Sequence, residues 1–396
     1  MNNRFEDSDQ QAFDRAFERT SSNPASRLQV RARREIALGL GSLAAVVVLA
    51  FALVGPWLMR SAGPASPEDP AGPAVSVSTS WLPGFPAYRG TTQYVTGIAL
   101  GDSFVVATVD GHQIWYGDGE SWTEADTSAL TGMYIARLVT YAGGVMAFGQ
   151  KAEAWDAQQW FTGIEIAISP DGKTWTRIPE SDLPVFDRAQ FMTAASGPAG
   201  VVVAGEVVTG EYDRHSFSPQ SFTWRSNDGI HWQMSDAIPD WDQWGGALVG
   251  GNKGYVAYAV NGLAGASTDG LHWVPNGDQI IYGTRNQQVL ALPDGFVAMG
   301  TCGGDDWLST HGNEWHSIGD EVPFQRCEAT YAGDGKRVVA LTLDGLWQTT
   351  NGLIWTQVAD LADTDAAPAG TIVVGPRGVI VSPNAVKWSF IPAPEN

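Results

Sequence analysis

Short apolar runs, some alternating strictly with polar residues, recur through residues 91–392 of the 396-residue chain. Residues 164–168 (Ile-Glu-Ile-Ala-Ile) alternate, and a cluster containing Ser, Asp and Gly separates them from the next run at Trp175. A period of two is typical of β-strands, and Asp-Gly or Asn-Gly between two runs predicts a β-hairpin with a tight type I′ turn. The pattern therefore predicts an all-β domain made of consecutive hairpins.

One turn motif occurs seven times. Its clearest copy is residues 169–175 (Ser-Pro-Asp-Gly-Lys-Thr-Trp), and the seven copies end at Trp122, Trp175, Trp232, Trp273, Trp315, Trp355 and Trp388. The turn residues ahead of these tryptophans include Asp118, Asp171, Asp228, Asp269 and Asn351. Short Ser and Asp side chains can accept hydrogen bonds from turn N–H groups, and each Trp supplies one large apolar anchor. We interpret these residues as structural.

The spacing of the motif indicates the architecture. Successive motif tryptophans lie between 33 residues (Trp355 to Trp388) and 57 residues (Trp175 to Trp232) apart. Repeats of about 40–50 residues with four short strands each are typical of a β-propeller, so seven copies predict seven four-stranded blades. The last repeat contains only three evident strands. We expect the alternating residues 75–81 to supply the fourth strand and close the ring, which would remove its open edge.

The turns resemble the Asp-box (BNR-type) repeats of sialidase-like and sortilin-like propellers over about residues 91–392. They depart from the usual Ser-x-Asp-x-Gly-x-Thr-Trp pattern by one missing residue, and the last three copies replace Asp with His311, Asn351 and Asn384. For sialidases the resemblance implies three arginines, a Tyr/Glu nucleophile pair and an Asp acid. The Phe-Arg-Ile-Pro motif of those enzymes is absent, so we interpret the chain as a non-sialidase member with no catalytic residue, metal or cofactor predicted.

Residues 36–59 contain no charge. As a helix they would span about 36 Å, enough to cross a hydrocarbon core of about 30 Å. Three arginines (Arg31, Arg33, Arg34) precede this segment and Arg60 follows it, so the positive-inside rule places residues 1–35 in the cytoplasm. A cleaved signal peptide is the alternative, although both the leading segment and the apolar run would be unusually long.

These features predict a single-pass cell-membrane protein. Its parts would be a cytoplasmic tail (1–35), a transmembrane helix (36–59), a Pro/Gly/Ser-rich linker (60–74) and an extracytoplasmic propeller (75–396). The net charge of −20 argues against nucleic acid as a partner. Cys302 and Cys327 are the only cysteines, and on an exported domain they predict a disulfide between consecutive blades.

The order of strands in a blade suggests where a site lies. First and third turns emerge on one face of the disc, and second turns and blade-to-blade links emerge on the other. We assign the seven motif copies to third turns, and the long segments 150–163, 206–221 and 240–244 to the opposite side, here called the insertion face. Insertions on one face of a repeat protein indicate a binding surface. The candidate binding residues are Trp155, Trp160, Arg188, Tyr212, Asp213, Arg214, His215, Trp241, Trp244 and Arg285.

Exposed aromatic side chains beside carboxylates and arginines suit contact with a protein or a carbohydrate. The alternative is that these tryptophans only fill the centre of the disc or cover their own loops. The leading hypothesis is a binding or assembly module for a protein or glycan partner outside the cell. A second is a surface glycosidase or glycan-binding protein, which would require Arg188, Arg214 and Arg285 to converge. A third is a sensor that signals through residues 1–35.

Overall fold

The computed structural model describes part of the chain. The described residues are 78–81, 95–108, 113–151, 163–187, 189–208, 219–236, 247–258, 264–275, 288–300, 304–343, 345–360, 371–382 and 387–393. All of them belong to one of the two units into which the chain divides, Gly72–Asn396. Within these ranges no helix has the length and apolar character needed to cross a membrane. The predicted tail, transmembrane segment and linker lie outside the described residues.

The described residues form seven antiparallel sheets of four strands each. The first three blades, taken in chain order, consist of β2 (Val95–Leu100), β3 (Ser103–Thr108), β4 (Ile114–Gly117) and β5 (Trp122–Glu124); β6 (Met133–Tyr141), β7 (Gly144–Lys151), β8 (Glu165–Ser169) and β9 (Thr176–Arg177); and β10 (Ala189–Gly197), β11 (Gly200–Val208), β12 (Pro219–Ser226) and β13 (Gln233–Met234). Blades 4 to 6 follow the same order and consist of β14 (Ala247–Gly251), β15 (Gly254–Tyr258), β16 (Ala264–Ser267) and β17 (Val274–Pro275); β18 (Gln288–Leu292), β19 (Gly295–Met299), β20 (Asp306–Ser309) and β21 (His316–Gly319); and β22 (Thr330–Gly333), β23 (Val338–Thr342), β24 (Gly345–Thr349) and β25 (Thr356–Ala359).

Blade 7 joins the two ends of the domain. It contains β26 (Thr371–Gly375), β27 (Gly378–Ser382), β28 (Lys387–Pro392) and, as its outer strand, β1 (Ser78–Trp81). The register pairs Ser80 with Trp388. The innermost strands contact one another in order around the ring, and β26 contacts β2. The prediction that this segment contributes the missing strand of a closed seven-bladed ring is therefore confirmed for residues 78–81, and residues 75–77 lie outside the described residues. Short 3₁₀ helices at Ser128–Leu130, Glu180–Asp182, Pro184–Phe186 and Arg326–Glu328 lie in the links between blades.

The seventh motif copy does not lie where the sequence places it. Ser382 ends β27, the second strand of blade 7, and Trp388 lies in β28, its third strand. This copy therefore occupies a second turn, and the prediction that all seven copies share one face is wrong. The reason is topological. The third turn of blade 7 would connect β28 to β1, and those strands come from opposite ends of the domain, so no continuous loop exists there.

The six remaining copies form hairpins held by their own side chains. In the copy at 169–175, Gly172 N donates to Ser169 Oγ (2.8 Å) and Lys173 N donates to Asp171 Oδ1 (3.0 Å). The side chains of Asp228, Asp269 and Asn351 accept equivalent bonds. Pairing resumes only at Ile168 and Thr176, so the predicted two-residue type I′ turn is wrong. The loop can be wider because the carboxylate satisfies N–H groups that a tight turn would pair with backbone.

Each motif turn also packs against the preceding blade. A Cβ added to Gly172 (φ +77°) would lie 2.6 Å from Val105 Cγ2 in blade 1, and one added to Gly119 would lie 2.6 Å from Phe390 in blade 7. A motif tryptophan can also contact the preceding blade: Trp273 Nε1 donates to Thr223 Oγ1 of blade 3 at 3.0 Å. The seven clusters of buried apolar residues lie between neighbouring blades. The motif is therefore part of the joint between blades.

Candidate functional site

The strand order locates the predicted insertions. Segment 152–162 connects β7 to β8 and segment 209–218 connects β11 to β12, so both are second turns, while 237–246 links blades 3 and 4. All the candidate binding residues lie outside the described residues and stay predictions: Trp155, Trp160, Arg188, Tyr212, Asp213, Arg214, His215, Trp241, Trp244 and Arg285. The structure nevertheless describes the strand ends that frame this face.

A polar ring surrounds the central channel at its insertion-face end. The seven innermost strands can be aligned by their pairing with the second strand of the same blade. This alignment identifies one equivalent position in each innermost strand, four residues before the first turn of the blade in most blades. These positions are Thr96, Arg137, Thr193, Ala247, Gln288, Thr330 and Thr371. In five blades the ring position is the first or second residue after the link to the innermost strand, and in β6 and β10 it is the fifth residue. The ring therefore lies at the insertion-face end of the channel, and β6 and β10 extend four residues beyond it.

The next layer of the channel is apolar. Two residues further along each innermost strand the equivalent positions are Ile98, Val139, Ala195, Val249, Leu290, Ala332 and Val373. Residues two apart on a strand point to the same side. All seven line a cavity of about 700 Å³, together with Arg137 and Thr193 of the ring. The seven positions of this layer therefore carry aliphatic side chains, of which Ile98, Val249 and Ala332 are partly exposed.

Arg137 is the one cation that lines this cavity among the described residues. Its side chain is exposed to the channel, yet the surrounding walls displace bulk water, and this desolvation lowers the pKa of its guanidinium. It makes no ion pair or hydrogen bond through its side chain to any described residue. A bulge between Ile135 and Arg137 precedes it in β6, and the same irregularity precedes Thr193 in blade 3.

Tyr258 of blade 4 lines the same cavity as Arg137, two blades further around the ring. Desolvation raises the pKa of its hydroxyl, while an N–H from Val289 and the nearby charge of Arg137 oppose that rise. Because the phenol oxygen accepts from Val289, its O–H remains able to donate. Gln288 Nε2 spans to the next blade and donates to the carbonyl oxygen of Tyr331 at 3.0 Å. The mouth therefore combines one guanidinium with hydroxyl donors.

A second concavity lies at the same face of blade 2. It encloses about 690 Å³, has Ile164, Ile178 and Phe186 among its apolar lining residues, and contains Glu165. Arg177 donates to Glu165 Oε1, and the other oxygen, Oε2, is buried without a hydrogen-bond partner. Burial raises the pKa of Glu165 although the neighbouring Arg177 lowers it. Glu180 and Asp187 also line this groove, and Lys151 Nζ donates to Glu180 Oε2 (2.7 Å).

The predicted disulfide involves the joint between blades 5 and 6. Cys327 lies in the 3₁₀ helix Arg326–Glu328, whereas Cys302 lies outside the described residues, so the pairing stays a prediction. Beside it, Arg326 forms a buried bidentate pair with Asp306 at 2.7 and 2.8 Å. Gly300 N also donates to Asp306 Oδ1 at 2.7 Å. This part of the ring is thus already held by a buried ionic contact.

The fold and the channel define a seven-bladed β-propeller with an axial cavity. No family model and no curated protein sequence matches the chain. The fold is similar to that of virginiamycin B lyase from Staphylococcus aureus, with 11% identity over 80% of this chain and 99% of that chain and a TM-score of 0.52. A streptogramin B lyase structure shares 11% identity over 80% of this chain and 97% of that chain, with a TM-score of 0.50.

The structure of YCF48 bound to a D1 peptide shares 14% identity over 80% of this chain and 97% of that chain, with a TM-score of 0.47. At identities this low the comparisons show the propeller fold alone.

Sequence reasoning missed Arg137 and Tyr258. Neither residue belongs to a motif, and Arg137 stands alone in a run of mostly apolar residues, Met133–Tyr141. The available signal was the alignment of the seven innermost strands, in which one position carries polar residues in six blades. That alignment requires the hairpin register of every blade, which is continuous from the first turn back to Arg137 and Thr193.

Proposed function

We propose that the chain is a membrane-anchored, extracytoplasmic β-propeller that binds a protein or glycan partner through its insertion face and acts as an assembly module. The observation that carries this proposal is Arg137, at the channel mouth on the face that also bears the long segments, because its guanidinium makes no ion pair or hydrogen bond to any described residue. Its surroundings desolvate this cation, and desolvation of a charge is costly unless another group or a ligand compensates it. The anchor is proposed from the uncharged segment 36–59 and its flanking arginines.

We also propose that the repeats belong to the Asp-box class. The Ser hydroxyl bonded to the turn glycine and the Asp carboxylate bonded to the next two N–H groups support this proposal, because they recur in blades 2, 3 and 4. The face that carries the six third-turn copies of the motif is here called the motif face. In this proposal the motif face holds the blades together, and the insertion face is available for recognition.

The test is a comparative pull-down from membranes with the intact chain. Arg137→Glu reverses the charge at the channel mouth, and Lys173→Glu makes the same change on the motif face, where Lys173 lies 5.0 Å from the centre of the Tyr116 ring. We expect a partner that is recovered with wild type and with Lys173→Glu but is lost with Arg137→Glu. A partner lost with Lys173→Glu and retained with Arg137→Glu would contradict the proposed face.

A further inference from the structure

Arg137 differs from every other arginine that the structure describes. Arg177 and Arg326 pair with carboxylates, Arg225 and Arg337 bond to glutamine side chains and carbonyl oxygens, and Arg377 lies 6.0 Å from the centre of the Phe390 ring. The described part of the chain therefore leaves one guanidinium without a partner. Its place is the axis of the disc, where all seven blades converge.

The groups around Arg137 are donors. The Tyr258 hydroxyl accepts from Val289 and keeps its own proton to donate, and Thr96 and Thr193 line the same cavity. Asp334 is the one carboxylate among the described lining residues, and it lies in the first turn of blade 6, at the other end of the channel. A planar guanidinium with hydroxyls beside it matches the two oxygens of a carboxylate.

The layer below the mouth restricts which chemical group of a ligand can lie next to the anionic end of that ligand. Ile98, Val249 and Ala332 are the partly exposed side chains of this layer, and all three are aliphatic. Val139, Leu290 and Val373 also line the cavity, but they are at most 8% exposed and pack between blades. A ligand whose anionic end rests at Arg137 would therefore place an apolar group in this layer. Burial of such a group contributes about 25 cal/mol for each Å² removed from water.

The overall charge argues for a monoanion. The chain carries a net charge of −20, so a phosphate dianion or a polyanion would be repelled by the molecule as a whole. Arg137 is the one positive group in the described lining of the cavity, and one guanidinium balances one carboxylate. A carboxylate is thus favoured over phosphate or sulfate esters.

Resting on the proposed use of the insertion face, we propose that the channel mouth binds a carboxylate attached to a branched apolar group, with Arg137 and Tyr258 holding the carboxylate and the apolar layer holding the tail. Both a free small carboxylic acid and the C-terminal end of a polypeptide carry this chemistry. The experiment therefore includes one probe for each source.

The test is isothermal titration of the full chain in detergent with N-acetyl-L-leucine and with the neutral isostere N-acetyl-L-leucinamide. The acid is expected to bind at least about tenfold more tightly, since a hydrogen bond to a charged group is worth about one factor of ten or more. Arg137→Gln is expected to abolish that preference, and Arg377→Gln, which removes the same charge at the other face, is expected to keep it. Equal binding of acid and amide, or an unchanged preference in Arg137→Gln, would overturn the proposal.

Two further experiments complete the test. The first distinguishes a polypeptide C-terminus from a free carboxylic acid as the ligand, and the second tests the contact between the apolar group of the ligand and the apolar layer. An octapeptide ending in a free leucine, compared with its amidated form, should show the same preference if a chain end is the ligand. If only the small acid shows it, a free carboxylic acid is the ligand. Ala332→Leu narrows the apolar layer and should weaken N-acetyl-L-leucine binding while leaving acetate binding unchanged; equal effects on both would contradict the tail placement. If Arg137→Gln loses the preference for the acid but keeps the membrane partner, the carboxylate site is supported while its link to the partner fails.

Discussion

Replacing the motif glycine of blade 4 tests whether the repeats act as joints between blades. Gly270 has φ +75°, and a Cβ added there would lie 2.2 Å from Val202 Cγ2 in blade 3. Val202 is fully buried. As a β-branched residue in a packed strand it has little freedom to rotate away. Gly270→Ala should therefore combine backbone strain with overpacking.

Gly335 provides the matched control. Its φ is +78°, and a Cβ added there meets nothing within 4 Å. Gly335→Ala should cost only the left-handed backbone penalty, about 1–2 kcal/mol. Gly270→Ala should cost that amount plus about 1–3 kcal/mol for overpacking. The difference between the two variants isolates the contact between blades.

The assay is urea unfolding of both variants, followed by tryptophan fluorescence and compared with wild type. We expect Gly270→Ala to lose about 1–3 kcal/mol more than Gly335→Ala, with unchanged m-values. Equal losses in the two variants would refute the argument, because they would show that the motif glycine is required only for its backbone conformation and that the joint yields to an added methyl group.

Three further predictions concern closure, pH and redox state. Deleting residues 78–81 should lower Tm markedly, because β28 would lose its only described outer neighbour; an unchanged melt would contradict closure by β1. His272 Nδ1 lies 2.7 Å from Asp269 Oδ2, and this bond raises the pKa of His272. The stability it contributes is thus complete below the unfolded pKa of about 6.5 and lost as pH rises through the folded pKa. The Tm gap between wild type and His272→Gln should shrink from pH 5.5 to pH 9, and a constant gap would contradict this. Alkylation should add mass at Cys302 and Cys327 only after reduction; modification without reductant would exclude the disulfide.

The sequence predicts the architecture well because each blade carries its own local signal. A wide hairpin, a glycine with positive φ and a tryptophan recur at a spacing that only a repeat of four strands explains. The misassignment of Trp388 arises because the sequence of residues 382–388 resembles the motif. Only the strand order shows that this segment is a second turn. Ring closure was predictable because three strands cannot complete a four-stranded blade.

The candidate site is less accessible to sequence reasoning. Insertions can be read from spacing, so the insertion face follows from strand order and turn count. Arg137 cannot be found in this way, since a lone arginine in a strand equally suits a solvent-exposed edge. Its meaning depends on its place in the lining of the channel and on Tyr258, which lines the same cavity although it is 121 positions away in the chain (137 to 258) and two blades away.

The most direct test of the central claim is photo-cross-linking in intact membranes. Benzoylphenylalanine would be placed at Trp155 and Trp241, which are predicted to lie on the insertion face. It would also be placed at Ile230 and Ile354 on the motif face, where those two side chains are 44% and 70% exposed. The account predicts adducts with a partner from the first pair of positions only. Adducts formed mainly from Ile230 and Ile354 would show that the motif face is the binding surface and would contradict the proposed function.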